Sequence, residues 1–143
     1  MSKIAVVYWS QGGNTAAMAQ AVADGIKEAG KEAELLYVSE ANAEDILTLD
    51  AFALGCPAMG AEVLEEYEME PFVCDIEGKV AGKKIALFGS YGWGDGEWMR
   101  DWQDRMTRAG ATLIHQEGLI CNEAPDDAML SECRKLGQDL ANA

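Results

Sequence analysis

Apolar positions along this chain switch repeatedly between a strand-like and a helix-like period. Ile4 to Tyr8 is a continuous apolar run, as expected of a strand covered on both faces. Ala16 to Ala29 follows with helical spacing. Met18, Ala21, Val22, Gly25, Ile26 and Ala29 fall on one stripe, and Gly30 stops the helix. Glu34 to Val38 predicts a second strand. Ser39 and Asn42 are cap candidates for a short helical piece through Ile46 and Leu47. Ala51 to Gly55 reads as a third strand. A long acidic connection, Cys56 to Glu70, leads to a short helix over Pro71 to Ile76, opened by its proline. Gly78 and Gly82 bracket a turn before a fourth strand, Ile85 to Phe88. A glycine-rich loop, Gly89 to Gly96, precedes a helix over Glu97 to Arg108 with Met99, Trp102, Met106 and Ala109 on one face. Ala111 to Ile114 and Gly118 to Cys121 form a fifth strand, with an irregularity near His115 to Glu117. Pro125 and Asp126 open a last helix cored by Met129, Leu130, Cys133, Leu136 and Leu140.

Strand and helix alternate from end to end, which defines an α/β chain. Right-handed crossovers then place helices on both faces of a five-stranded, doubly wound parallel sheet. Order 2-1-3-4-5 is the common solution at this length. No repeat, low-complexity segment or linker divides the sequence, so residues 1–143 are expected to form one domain. In such a sheet the loops after strands one, three and four are neighbours. They are Ser10–Thr15, Cys56–Glu66 and Ser90–Glu97, and with the strand ends that feed them they hold eight of the fifteen glycines. That density lets backbone approach a flat or phosphorylated ligand closely.

Composition narrows the partners. With 49% hydrophobic residues the chain can bury a core, and its formal net charge is -14. Such a carboxylate excess repels nucleic acid and anionic membranes, and it favours basic protein partners. The first residues lack the pattern of a signal peptide, and no apolar run reaches the ~20 residues of a membrane helix, so a soluble cytoplasmic monomer is expected. Cys56, Cys74, Cys121 and Cys133 are widely spaced without a C-x-x-C, which argues against a zinc ribbon or iron–sulfur cluster and for reduced thiols. His115, the one histidine, is expected at the surface or a strand edge rather than in catalysis.

The first loop, Ser10-Gln11-Gly12-Gly13-Asn14-Thr15, joins a strand to a helix start. Free amides and the helix dipole there favour an anion, and Ser10, Asn14 and Thr15 add neutral donors. No Lys or Arg lies between Ile4 and Ile26, which argues against a nucleotide-hydrolysing loop. Alone, the same residues also describe an ordinary strand-to-helix turn. In the third loop, Ser90-Tyr91-Gly92-Trp93-Gly94-Asp95-Gly96, Trp93 sits between glycines and is better placed to stack on a planar heterocycle than to plug the core. In the second, Pro57-Ala58-Met59-Gly60-Ala61-Glu62, Met59 can pack on an aromatic face, or simply in the core. Gly60 can take a positive φ, and Glu62 can accept a ligand N–H or stay a solvated carboxylate.

Taken together these stretches resemble the flavodoxin family, most closely the short-chain flavodoxins of anaerobic bacteria. The matching residues are Tyr8-Trp9-Ser10, Gly13-Asn14-Thr15, Leu54 to Gly60, and Leu87 to Met99, with Asn122-Glu123-Ala124-Pro125 before the last helix. For that family the 2-1-3-4-5 order is itself the standard example of ligand binding at the switch between the first and third strands. The resemblance implies non-covalent FMN and one-electron transfer between redox enzymes, not an enzyme of its own. It assigns the phosphate to Ser10, Gln11, Gly12, Gly13, Asn14 and Thr15, with Ser90 near the ribityl chain. Met59, with Pro57 and Ala58, would cover one flavin face and Trp93 the other. Glu62 would meet flavin N3–H, and Gly60 would turn its carbonyl toward N5 on one-electron reduction. Tyr91, Gly92, Gly94 and Gly96 would serve the pyrimidine edge.

The acidic rim, Glu62, Glu65, Glu66, Glu68, Glu70, Asp95 and Glu97, would disfavour the reduced flavin anion, lower its potential, and dock basic, transiently bound redox proteins. Gly12 stands where relatives usually have threonine, and Ala61 where they often have a polar residue. A receiver domain lacks its acidic residues here, and a low-molecular-weight phosphatase its Cys-x5-Arg loop. The stronger rival is an FMN-dependent NAD(P)H:quinone-type reductase, which needs room beside the flavin; a non-redox FMN module is a third reading.

Overall fold

A computed structural model describes residues 3–143. The chain runs β1 (Lys3–Tyr8), α1 (Asn14–Glu28), β2 (Glu32–Tyr37), a 3-10 turn (Val38–Glu40), α2 (Ala43–Ile46), β3 (Ala51–Gly55), α3 (Met69–Glu77), β4 (Lys84–Tyr91), α4 (Glu97–Arg108), β5 (Thr112–Leu113), a second 3-10 turn (Ile114–Gln116), β6 (Leu119–Asn122) and α5 (Asp127–Asn142). The strands pair in parallel in the expected order β2-β1-β3-β4-β5, with β6 also on β4. Tyr8 is in register with Tyr37 and Gly55, and Gly55 with Phe88, so β1, β3 and β4 end along one edge.

Strand alternation divides the core into two layers. Ala5, Val7, Phe52 and Leu54 face a layer with Trp98, Trp102 and Met106 of α4 and Val73 of α3. Ile4, Val6 and Ala53 face the other, with Met18, Val22 and Ile26 of α1 and Cys133, Leu136 and Leu140 of α5. Complete burial of one such aliphatic side chain contributes about 1.5–3 kcal/mol. Helices α1 and α5 pack almost backbone to backbone. A Cβ on Gly25 would lie 1.9 Å from the Arg134 carbonyl oxygen, and one on Gly137 would lie 2.1 Å from that of Val22.

Two boundaries differ from the sequence expectation, each for a tertiary reason. Helix α3 starts at Met69, before Pro71. The buried Glu65 carboxylate accepts the N–H groups of Tyr67 (2.8 Å), Glu68 (2.7 Å) and Met69 (3.0 Å), capping the helix from outside it. Pro71 then sits at the third helical position, where an N–H has no intrahelical acceptor. Strand β4 runs on through Gly89, Ser90 and Tyr91, because β6 pairs with them. The fifth strand is two pieces, interrupted where the sequence places an irregularity. Between the pairs Leu113–Ile85 and Leu119–Phe88 six residues advance against three of β4, and the surplus is a 3-10 turn with His115 and Gln116 at φ 65° and 64°. All four cysteines are free, and among the described residues no helix is long and apolar enough to cross a membrane.

Arg105 ties α4 to α3. Its guanidinium donates to both Glu70 oxygens (2.9 and 2.6 Å) and both Glu77 oxygens (2.9 Å each). These hydrogen bonds hold the Glu70 and Glu77 carboxyls below the usual carboxylate range. A carboxyl pKa depressed by folding contributes stability that is present above its unfolded value and lost as pH falls through its folded value. Arg105→Met is therefore expected to lower the urea midpoint at pH 7 and to flatten its decline below pH 4.5, the ordinary glutamate value. Parallel midpoint-against-pH curves for the two proteins would contradict this.

Candidate functional site

The C-terminal edge of the sheet holds a cleft of about 400 Å³, inside the range, about 300–1,000 Å³, of small-molecule sites. Ser10, Gln11, Gly12, Asn14 and Thr15 line it from the β1 loop. Pro57, Ala58 and Met59 line it from the β3 loop, and Ser90, Tyr91 and Gly92 from the end of β4. It lies at the switch between β1 and β3, where the chain leaves neighbouring strands in opposite directions.

The first loop is built as an anion cradle. Gly13 caps α1 at φ 94°, a left-handed conformation that glycine adopts without strain. Ser10 Oγ accepts the N–H groups of Gly13 and Ala16 (3.3 Å each) and folds the loop over the helix start. The Asn14 and Thr15 amides, in the first turn, have no intrahelical acceptor. No acidic side chain occupies that turn, so nothing opposes an anion at the positive end of the helix dipole. Thr15 and Ser90 hydroxyls are paired at 2.9 Å in the buried floor. Tyr37 donates its hydroxyl to the Ser10 carbonyl (3.4 Å). Burial, then the Glu68 carboxylate, pushes that phenol's pKa up and keeps it a neutral donor. A Cβ on Gly12 would meet nothing within 4 Å. A cradle of amides and hydroxyls beside an open slot fits a phosphate ester that carries a flat group, as FMN does.

The other two loops are braced together. Cys56 N–H donates to the Phe88 carbonyl (3.1 Å) and Ala58 N–H to that of Ser90 (3.0 Å). Trp98, buried under α4, donates its indole N–H to the Cys56 carbonyl (3.0 Å). Met59 and Val63 exchange both backbone hydrogen bonds (2.9 and 3.0 Å), which closes a tight hairpin with Gly60 at φ 47° on its tip.

Six predicted residues do not line the cleft: Gly13, Gly60, Glu62, Trp93, Gly94 and Gly96. Glu62 departs furthest from a solvated or ligand-facing carboxylate. It is 7% exposed, at φ 56°, and accepts the Gly96 N–H (3.3 Å) at the start of α4. It fills the space under Gly94, where a Cβ would come within 2.4 Å of its Oε1. A buried carboxylate at a helix N-terminus is held by the amides and dipole there, so Glu62 fixes the Trp93–Gly96 turn from below. Trp93 itself is 67% exposed, next to Gly92 in the wall. It neither plugs the core nor lines the cleft.

Two lining residues fall outside the predicted set. Trp9 closes one side, with its indole N–H donated to Glu68 Oε1 (3.2 Å). Its place directly before the loop was the available signal. Glu123 enters because its N–H donates to the Tyr91 carbonyl (2.8 Å), continuing the β4–β6 pairing. That register depends on the 3-10 insertion and could not be counted from sequence. His115 is remote from the cleft, paired with Asp139 (2.6 Å) between the 3-10 turn and α5. Cys56 lies beneath the cleft floor with its thiol pKa pushed up to about 12 by burial, which makes it a neutral packing group.

Known proteins have a similar sequence and fold. The family model described as Flavodoxin matches residues 6–137. A flavodoxin from Clostridium beijerinckii is 49% identical over 137 residues, 96% of this chain and 98% of its own. One from Megasphaera elsdenii is 46% identical over 140 residues, 98% and 99% of the two chains. The solution structure of two-electron reduced Megasphaera elsdenii flavodoxin superposes with a TM-score of 0.89 over 98% of this chain and 99% of that one. With the sheet order, the amide cradle at the switch point and full-length similarity all in agreement, the chain belongs to the flavodoxin family.

Proposed function

We propose that this chain carries electrons one at a time between redox enzymes on non-covalently bound FMN, held as one domain over residues 1–143. The observation that carries the reading is the neutral anion cradle at the α1 N-terminus beside a slot of about 400 Å³. Ser10, Gln11, Gly12, Gly13, Asn14 and Thr15 hold the phosphate through amides and hydroxyls, without a cation. Ser90 serves the ribityl region through its link to Thr15. Pro57, Ala58 and Met59 support the inner flavin face, and Trp93, exposed beside Gly92, covers the outer one. Tyr91, Gly92, Gly94 and Gly96 shape the pyrimidine end. Glu62 acts on that end through the turn it supports. Gly60, whose tip position leaves a Cβ without neighbours within 4 Å, has room for its peptide to turn.

When bound, FMN supplies the one-electron chemistry; the protein sets which redox state is favoured. Carboxylates around the cleft disfavour added negative charge and lower the potential. They also draw basic redox partners into short-lived complexes with a monomer. Four free thiols accord with a reducing, cytoplasmic setting.

Gly12 tests the cradle directly. A side chain there meets no neighbour, so Gly12→Thr is expected to add one hydroxyl donor to the phosphate and tighten FMN binding about five-fold. An unchanged dissociation constant would show that no donor is missing there. The function itself is tested by anaerobic stepwise reduction of the FMN-loaded protein, followed by its visible spectrum. A distinct one-electron-reduced species and electron delivery to an added haem protein are expected. Sustained NAD(P)H-dependent quinone turnover without an added reductase would make it a reductase instead.

A further inference from the structure

Among the described residues the large apolar side chains left in solvent are Val63, Tyr67 and Trp93. Trp93 belongs to the cofactor reading; Tyr67, 80% exposed, does not. Its ring stands on an unusually fixed base. The buried Glu65 carboxylate accepts the N–H groups of Tyr67, Glu68 and Met69, and Glu65 N–H donates to Cys56 Sγ (3.4 Å). Leu64 and Met69 are buried on either side. Both exposed residues also connect to the cleft wall. Val63 is hydrogen-bonded to Met59, and Glu68, beside Tyr67, holds the indole of Trp9. The segment therefore lines the cofactor cleft with its inner residues and shows Val63 and Tyr67 on its outer side. From Pro57 to Gly78 it contains no Lys or Arg, and Glu66 and Glu68 are the chain neighbours of Tyr67.

We infer that Tyr67, with Val63, is the apolar anchor of a docking surface for an electron-transfer protein whose redox centre lies in an apolar face ringed by lysines or arginines. The inference rests on the carrier reading. An aromatic on a fixed backbone loses little conformational entropy when it is covered, and such residues dominate the energy of small interfaces. The carboxylates beside it supply long-range attraction and select against acidic surfaces. A second copy of this chain, at net charge -14, brings like charge to like.

The test uses photoreduced, FMN-loaded protein and ferric cytochrome c, a lysine-ringed haem protein, in stopped flow across ionic strength. One electron leaves the reduced cofactor and converts Fe(III) haem to Fe(II). Tyr67→Ala is expected to lower the second-order rate constant about ten-fold at both low and high salt. Tyr67→Phe should keep most of the rate, since the ring and not its hydroxyl makes the contact. Glu66→Gln should slow the reaction at low salt only, whereas the same charge change at the far end of the sheet, Glu32→Gln, should have little effect. FMN affinity should be unchanged in all four, and midpoint potentials in all but Glu66→Gln, where loss of a rim carboxylate raises them. A wild-type rate in Tyr67→Ala overturns the anchor and leaves the carrier reading standing. Sedimentation showing a dimer that Tyr67→Ala dissociates assigns the ring to self-association and overturns it too. A wild-type protein that binds FMN but reduces no acceptor overturns both.

Discussion

Replacing Gly89 by alanine is expected to remove about 3 kcal/mol of stability, the upper part of the range for forcing a methyl group into a packed core, and to weaken FMN binding as well. Gly89 lies inside β4, directly against the start of the β3 loop. A Cβ there would come within 2.1 Å of the Cys56 carbonyl oxygen and 3.1 Å of the Trp98 ring. That oxygen already accepts the Trp98 indole N–H at 3.0 Å. Relief therefore requires either that β3 and β4 separate at their ends or that the buried indole loses its acceptor. An orphaned indole N–H costs about 1–3 kcal/mol, so both routes are expensive. The displaced strand ends carry Pro57, Ala58, Met59 and Ser90. Loss of stability and loss of affinity should thus appear together, in urea unfolding of the apoprotein and in fluorimetric FMN titration. A loss under about 1 kcal/mol, the scale of an ordinary surface substitution, would mean that the strand ends are free to part.

Thr15→Val is expected to raise the FMN dissociation constant about 100-fold, the loss of a charge-assisted hydrogen bond plus an unpaired buried partner. The change conserves volume and removes only the hydroxyl. Thr15 is 1% exposed and Ser90 5% exposed, and their oxygens lie 2.9 Å apart. With valine at position 15, Ser90 Oγ keeps its burial and loses that partner. The apoprotein should lose about 1–2 kcal/mol, far less than the effect on affinity implies for the loaded protein. Thr15→Ser should restore most of the binding. If the valine variant bound FMN within about three-fold of wild type, under 1 kcal/mol, the hydroxyl pair would be packing rather than recognition.

These two sites show how differently the pieces were legible in the sequence. The strand-to-helix turn of the first loop was readable because it states itself locally: an apolar run, glycines, short polar residues, then a helical stripe. Gly89 was visible only as one glycine of a rich loop. Its actual place inside a strand follows from the β6 pairing, which no local pattern encodes. Alternation and crossover handedness gave the doubly wound sheet, the five-strand order was the common solution at this length, and β3 and α4 were bounded correctly because each is closed by glycine. By contrast the start of α3 was misjudged at Pro71. Its cap is a carboxylate, Glu65, four residues before Met69 and held in the core.

Glu62 marks the division most clearly. From the sequence by itself the α/β class and the acidic character of the rim were determined, because each depends on local periodicity or net charge. Which carboxylates belong to the solvent and which to the scaffold was decided only by tertiary structure. In one acidic segment Glu62 goes under the Trp93–Gly96 turn to meet an amide, Glu65 goes into the core to cap α3, Glu70 goes to Arg105, and Glu66 remains outside. The physical reason is that a buried charge needs partners from distant parts of the chain, backbone N–H groups or a guanidinium, and only the folded topology brings them within hydrogen-bond reach.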